Sequence, residues 1–211
     1  MTATRHTAPA QTGAPRPRAA SAAAPEVIAR LEAADDLDLA TDFLAATPTH
    51  EGRDRALLRA WARAAEDFGS AVPSTPSRAR VIDRDGGLEL GLLARYTSRP
   101  TPSVELYTDT LALAEELIER RGWRHWYPEG SVRAAALAHE AVHEQLHHGP
   151  PKAALKRSLG HVVLRIGRHR VLGHVAGAEE IAAHAHARTV CGLGRSPLML
   201  TAALASYGRE N

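Results

Sequence analysis

The sequence predicts a mainly helical α+β fold with a small strand and hairpin region. Apolar residues recur at helical spacing over residues 26–69 and again from residue 131 onward, whereas residues 81–107 show the shorter repeat of strands. Of the 211 residues, 44% are hydrophobic but only 4% are aromatic. The chain is therefore long enough and apolar enough to form a core, which we expect to be built mainly from aliphatic side chains.

The composition divides the chain into three regions. Residues 1–25 are rich in alanine and proline, contain no acidic residue and lack the apolar segment of a secretory signal, which predicts a disordered tail. Residues 26–70 are expected to form a helical N-terminal region with an acidic, solvated face. Residues 70–78, with two prolines and three serines, predict a linker to a second unit at 79–211.

Local patterns place the first elements. Asp36 is predicted to cap the second of three N-terminal helical segments. The pair Val81-Ile82, a turn at residues 85–87 and the run 88–96 predict a β-hairpin. A third strand is expected at 104–107.

Helices are expected in the rest of the chain. The first follows the third strand, is capped by Thr108 or Asp109 and runs to about Arg121. From Ser131 onward, the periodicity and the glycine and proline breakers predict four further helices, at 131–148, 152–168, 176–191 and 197–207.

Charge and cysteine content exclude several classes of protein. The single cysteine, Cys191, excludes an internal disulfide framework and a cysteine-rich zinc site, and it is expected to be a small core residue. The formal net charge of +2 does not by itself indicate a nucleic-acid partner. No run approaches about 18 apolar residues, so we expect no membrane partner and a cytoplasmic location.

Histidine is the unusual component. Nine of the twelve histidines fall between residues 139 and 186. They include the sequence His139-Glu140-Ala141-Val142-His143, in which the histidines at i and i+4 lie about 40° apart on a helix and can both reach one metal ion. Glu140 lies about 100° from His139, where it is placed to act as general base on a zinc-bound water rather than as a ligand.

A catalytic zinc site needs a third protein ligand and one open position. Glu180 is the predicted third ligand, because it lies on an otherwise apolar helix face. Glu179, about 100° away, is its direct rival. His184 lies one turn after Glu180 and could hold it by a hydrogen bond. His147 is a further alternative, although it would have to reach about 80° around the helix from His139.

The pair His139 and His143, with Glu140 and the downstream Glu180, resembles the gluzincin class of zinc metallopeptidases. The order of strands, helix, HExxH helix and E-x-x-A-x helix is most similar to the small ImmA/IrrE-type metallopeptidases. This resemblance covers residues 79–207 and includes Leu146-His147-His148 after the motif. His184 stands where gluzincins usually carry Asp or Asn, and the 36 residues between His143 and Glu180 exceed the spacing expected of compact members.

The resemblance implies a zincin-like fold, in which the active-site helix precedes the helix with the third ligand. It also implies zinc as cofactor and hydrolysis of peptide bonds in a peptide or a regulatory protein. Glu140 would be the catalytic base, and His139, His143 and Glu180 the metal ligands. His174, in a glycine-bracketed loop, is a candidate for stabilising the oxyanion of the transition state.

Two other classes of function remain open. Glu140-x-x-His143 and Glu144-x-x-His147 match one element of di-iron carboxylate proteins, but Glu180-x-x-x-His184 is one residue too long for the second element. Residues 145–178 contain six Lys or Arg residues and no acid, so a basic helix at 152–170 could bind nucleic-acid phosphates. No aromatic residues are interleaved for base stacking, and nucleic acid is therefore not the favoured partner.

Overall fold

The computed structural model describes residues 25–147 and 149–208. It is mainly helical with small sheets, which confirms the predicted fold class. The predicted disordered tail lies outside the described residues except for Pro25, which begins the first helix. No helix in the described ranges combines the length and apolarity needed to cross a membrane.

The N-terminal region is helical, as predicted. It contains α1 (Pro25–Ala33), α2 (Asp36–Ala45), a short 3-10 helix (Pro48–His50) and α3 (Arg55–Ala71). The cap of α2 is Asp35, whose carboxylate accepts the backbone N–H of Asp38, so the prediction of Asp36 as cap is wrong by one residue. Asp36 instead forms ion pairs with Arg188 at 2.9 Å and Arg195 at 2.8 Å, which tie α2 to the C-terminal part of the chain.

A three-stranded sheet follows. It is formed by β1 (Arg80–Arg84), β2 (Ala94–Thr97) and β3 (Ser103–Tyr107), in the order β1-β3-β2. The third strand is confirmed, but the predicted hairpin is wrong, because β1 pairs in parallel with β3 and only β2 is antiparallel to β3.

A short helix, α4 (Gly87–Leu90), stands where the hairpin turn was predicted. The Asp109 carboxylate accepts the backbone N–H groups of Gly86, Gly87 and Leu88, which satisfies the start of that helix. This partner is more than twenty residues away, and so the local turn signal was misleading.

The helices predicted in the second half are largely confirmed. They are α5 (Thr108–Arg121), α6 (Ser131–Leu146), α7 (Pro150–Leu159), α8 (Ala178–Val190) and α9 (Pro197–Gly208). The N-cap of α5 is Tyr107, not Thr108 or Asp109, and it makes no side-chain capping bond.

The predicted helix at 152–168 is wrong in its second half. α7 ends at Leu159, because the next residue, Gly160, has a left-handed backbone (φ 60°) that terminates the helix. The chain then forms an antiparallel hairpin of β4 (Val162–Ile166) and β5 (His169–Leu172), which turns at Gly167 (φ 56°). The basic helix predicted at 152–170 therefore extends only to Leu159.

One hydrophobic core runs through both predicted regions, 26–70 and 79–211. Helix α8 lies at its centre, between α3 on one side and α6 on the other. The α3–α8 approach is close, because a Cβ added at Gly69 would lie 2.0 Å from the carbonyl oxygen of Ala182. Cys191 packs against this core, and burial raises the pKa of its thiol. The position of α8 is thus fixed from both sides.

Candidate metal centre

Helices α6 and α8 bring together three potential metal ligands. The Nε2 atoms of His139 and His143 lie 3.0 Å apart. The two carboxylate oxygens of Glu180 lie 3.3 Å from His139 Nε2 and 3.2 Å from His143 Nε2. These three side chains form a group that could hold a metal ion.

The charges of these side chains also shift the pKa values of their neighbours. Burial acts to lower the pKa of His143, but the hydrogen bond and the charge of Glu180 outweigh it, and the pKa is raised. Burial acts to raise the pKa of Glu180, but hydrogen bonds and positive charge from His139 and His143 outweigh it and lower the pKa strongly. Glu180 is therefore a carboxylate, the form in which it can ligate a cation.

Glu140 lies on the same helix but is held differently. Its side chain is buried, and Oε2 accepts the backbone N–H of Tyr96 at 2.8 Å. Tyr96 belongs to β2, an edge strand that pairs only with β3 within the described sheet. The outer edge of β2 therefore fixes the glutamate, which lines the same cleft as His139 and His143.

His184 contacts a histidine of the group rather than its carboxylate. The ring of His184 is buried and lies 4.5 Å, centroid to centroid, from the ring of His139. Its Nδ1 has no hydrogen-bond partner among the described residues. Burial, followed by the charge of His139, places its pKa well below the usual value, so the ring is neutral.

The rival ligand and the oxyanion candidate occupy other positions. Glu179 pairs with Lys152 at 3.2 Å and lies 3.9 Å from His174 Nδ1, and it does not belong to the group of three potential ligands, although it lines the same cleft. The side chain of His174 is 53% exposed and does not line the cleft. His147 does line the cleft, with its ring edge-on to Tyr96 at 6.3 Å.

The cleft beside this group has a volume of about 560 Å³. Its polar lining contains the three potential ligands and, in addition, Arg95, Tyr96, Ser98, Glu140, His147, Lys152, Glu179, His184 and Thr201. The rest is largely apolar and comes from the loop before β2, the first half of α6 and the start of α9. The apolar side chains are Phe43, Leu92, Leu93, Ala94, Val132, Ala135, Ala136, Leu193, Pro197, Leu198 and Leu200. The cleft thus joins a charged end to an apolar recess.

Sequence reasoning missed two residues of this cleft. Tyr96, which holds Glu140, acts through its backbone N–H, and no side-chain pattern marks such a contact. Lys152 was counted only as part of a basic segment, and its position opposite Glu179 depends on how α7 packs. Comparison with protein-family models, curated proteins and solved structures yields no match.

Proposed function

We propose that this protein is a zinc-dependent metallopeptidase of the gluzincin type, which hydrolyses peptide bonds in a peptide or a regulatory protein. The observation that carries the proposal is the spacing of the three donor atoms. Donors bound at about 2.0–2.1 Å to one tetrahedral zinc ion lie about 3.4 Å from one another. The separations of 3.0, 3.2 and 3.3 Å are close to that value.

The donor set also fits zinc chemically. Two imidazoles and one carboxylate form a ligand set of catalytic zinc sites, in which a fourth position stays open. His139, His143 and Glu180 would hold the ion from two helices whose packing fixes their relative position. When bound, zinc supplies Lewis-acid activation of water and of the scissile carbonyl group.

Glu140 would carry the proton transfers. Oε2 accepts the backbone N–H of Tyr96, and the other oxygen, Oε1, would accept the proton of the attacking water. The same carboxyl group then donates that proton to the leaving amine. Fixing one oxygen on the backbone of an edge strand restricts the rotation of the side chain, which favours a single orientation for both transfers.

The cleft favours a substrate with a large apolar side chain beside the bond that is cut. The recess next to the metal group is walled by aliphatic side chains and could bury such a group. The charged side chains of the lining include Arg95 of β2 as well as Glu140, Lys152, Glu179 and Glu180. We therefore expect peptides with leucine or phenylalanine at this position to be cleaved in preference to peptides with glycine or aspartate.

A peptidase assay with Glu140→Gln tests this function. We expect the zinc-supplemented protein to cleave peptides that contain leucine or phenylalanine, as detected by new amino termini. Glu140→Gln should lower the rate by about 10²–10⁴-fold, because it removes the base. The amide oxygen can still accept the N–H of Tyr96, so the fold and the zinc content should be unchanged.

Glu144→Gln is the matched control, since Glu144 lies one turn later on α6 and contacts Ser77 instead of the cleft. This variant should keep the normal rate. No cleavage by the zinc-loaded protein, or equal rates with and without Glu140, would contradict the proposal.

The two alternatives lack comparable support. A di-iron site needs a second set of ligands, and within the described ranges His139, His143 and Glu180 form the single group of three suited to a metal. A nucleic-acid-binding role depended on the helix at 152–170, which ends at Leu159.

A further inference from the structure

The hairpin of β4 and β5 exposes aliphatic side chains to an unusual degree. Val163, Leu164, Ile166 and Val171 are between 45% and 62% exposed. The exposure extends along both strands and is reduced only at Val162 and Leu172, where the hairpin joins the rest of the molecule. Clustered exposed aliphatic residues on a folded protein indicate an interaction surface.

The base of the hairpin is anchored, so this exposure belongs to a defined structure. The ring of His161 packs edge-on against Trp61 of α3, with centroids 4.8 Å apart. The backbone N–H of Gly173 donates to the carbonyl oxygen of His161 at 2.8 Å. These contacts close the base, and the strands extend away from it.

Between Leu164 and Val171 the strand register is regular and places aliphatic and arginine pairs on opposite faces, whereas Val163 lies at a register shift between Val162 and Leu164. Leu164 lies opposite Val171, and Arg165 lies opposite Arg170. Residues opposite each other share a face and neighbours alternate between faces, so the leucine and valine are on one face and the two arginines are on the other. Like charges in directly opposed positions destabilise a hairpin.

No carboxylate compensates this charge. Residues 145–178 contain no acidic residue. In the described part of the chain, Arg165, Arg168 and Arg170 form no ion pair. The hairpin therefore presents three unpaired guanidinium groups together with its exposed aliphatic side chains.

We propose that this hairpin docks the protein onto an anionic lipid membrane surface. The aliphatic side chains would enter the boundary between headgroups and acyl chains, and the long arginine side chains would reach the lipid phosphates at the same level. An anionic membrane offers lipid phosphates to the arginines and, directly below them, an apolar layer to the aliphatic side chains.

Other binding partners would satisfy only the arginines or only the aliphatic side chains of the hairpin. Duplex nucleic acid offers phosphates to the arginines but leaves the aliphatic side chains in water. A stable interface with a second copy needs about 800 Å² and 20–30 residues from each partner, more than a four-residue aliphatic cluster supplies. The sequence-based expectation of no membrane partner considered only a spanning helix and assumed that this segment was helical.

Vesicle binding of the full chain tests the proposal. We expect co-sedimentation with vesicles of phosphatidylcholine and phosphatidylglycerol, weakening as salt is added, and no binding to vesicles of phosphatidylcholine alone. Leu164→Ser with Ile166→Ser, and separately Arg165→Gln with Arg170→Gln, should each reduce the partition coefficient by about tenfold.

Matched controls remove similar groups elsewhere. Val81→Ser with Leu88→Ser removes two aliphatic side chains that are 44% and 49% exposed. Arg78→Gln with Arg99→Gln removes two exposed positive charges outside the hairpin. Both control variants should bind anionic vesicles as the unmodified protein does, and circular dichroism confirms that each variant is folded.

Three results would overturn the proposal. The first is no binding to anionic vesicles at low salt, or equal loss in hairpin and control variants. The second is binding of duplex DNA, lost only in the arginine variant, without vesicle binding. The third is concentration-dependent dimerisation, lost only in the aliphatic variant, without vesicle binding. The last two would identify nucleic acid and a second copy as the occupant.

Discussion

Two regions of the molecule differ from the usual pattern of a polar surface and an apolar core. One is the site between helices α6 and α8, and the other is the β4–β5 hairpin. The helices bring two histidines and a glutamate together at a partly buried site, whereas the hairpin leaves four aliphatic side chains in solvent. Burying polar groups is costly unless they are paired, and His139, His143 and Glu180 pair with one another. The exposed aliphatic side chains of the hairpin remain in contact with water instead. We therefore expect them to contribute little to the stability of the free protein.

The first prediction compares two leucines, one from each region. Leu146 at the end of α6 is 1% exposed, and Leu164 in β4 is 53% exposed. Leu146→Ala should lower the free energy of unfolding by about 2–5 kcal/mol, because it leaves a cavity beneath the metal-site helix. Leu164→Ala should change it by less than about 0.5 kcal/mol.

Chemical denaturation of both variants measures these free energies. Similar losses at the two positions would show that the hairpin side chains are packed against something in the free protein, and the contrast between the two regions would fail.

A smaller effect on the free energy of unfolding is expected from a half-buried carboxyl group and its dependence on pH. Glu66 of α3 lies near Asp36, Asp67, Arg63 and Arg188 but forms no ion pair within the described ranges. Burial, followed by the charge of Asp36, raises its pKa to about 7 from an ordinary value of 4.5. Glu180 shows the reverse shift, because two imidazoles face it.

The sign of the pH effect follows from the raised pKa. Between pH 4.5 and about 7 the folded protein holds a proton at Glu66 that the unfolded chain has lost, so stability falls as pH rises through this window. Glu66→Gln should remove about 1 kcal/mol of that fall, a value reduced for solvent screening of a half-buried group.

Unfolding free energies at several pH values in this window provide the measurement, with the exposed Glu51→Gln as control. A parallel pH profile for Glu66→Gln and the unmodified protein would contradict the assignment.

The predictable part of the site is local in sequence. The positions of His139 and His143 on one helix face follow from helical geometry alone. Glu180 was identified because a carboxylate on an apolar helix face needs a partner, and the structure places it against both histidines. The choice between Glu180 and Glu179 could not be made from sequence, since it depends on the contact of Glu179 with Lys152.

The errors arose where distant contacts decide the structure. The segment after Gly160 has apolar and basic residues that fit either a helix or a strand, and it forms a hairpin whose base packs against the distant Trp61 through His161. The short helix α4, which replaces the predicted turn, begins at residues whose backbone N–H groups are held by the distant Asp109 carboxylate. The hydrogen bond from Tyr96 to Glu140 likewise joins residues far apart in sequence.

The central claim is that His139, His143 and Glu180 bind zinc. Elemental analysis of protein purified without chelator and resupplied with zinc tests it directly, beside His143→Ala, Glu180→Ala and the matched control Glu179→Ala. We predict about one zinc ion per chain in the unmodified protein and in Glu179→Ala, and loss of zinc in the other two variants. No zinc in the unmodified protein, or loss in Glu179→Ala with retention in Glu180→Ala, would contradict the assignment.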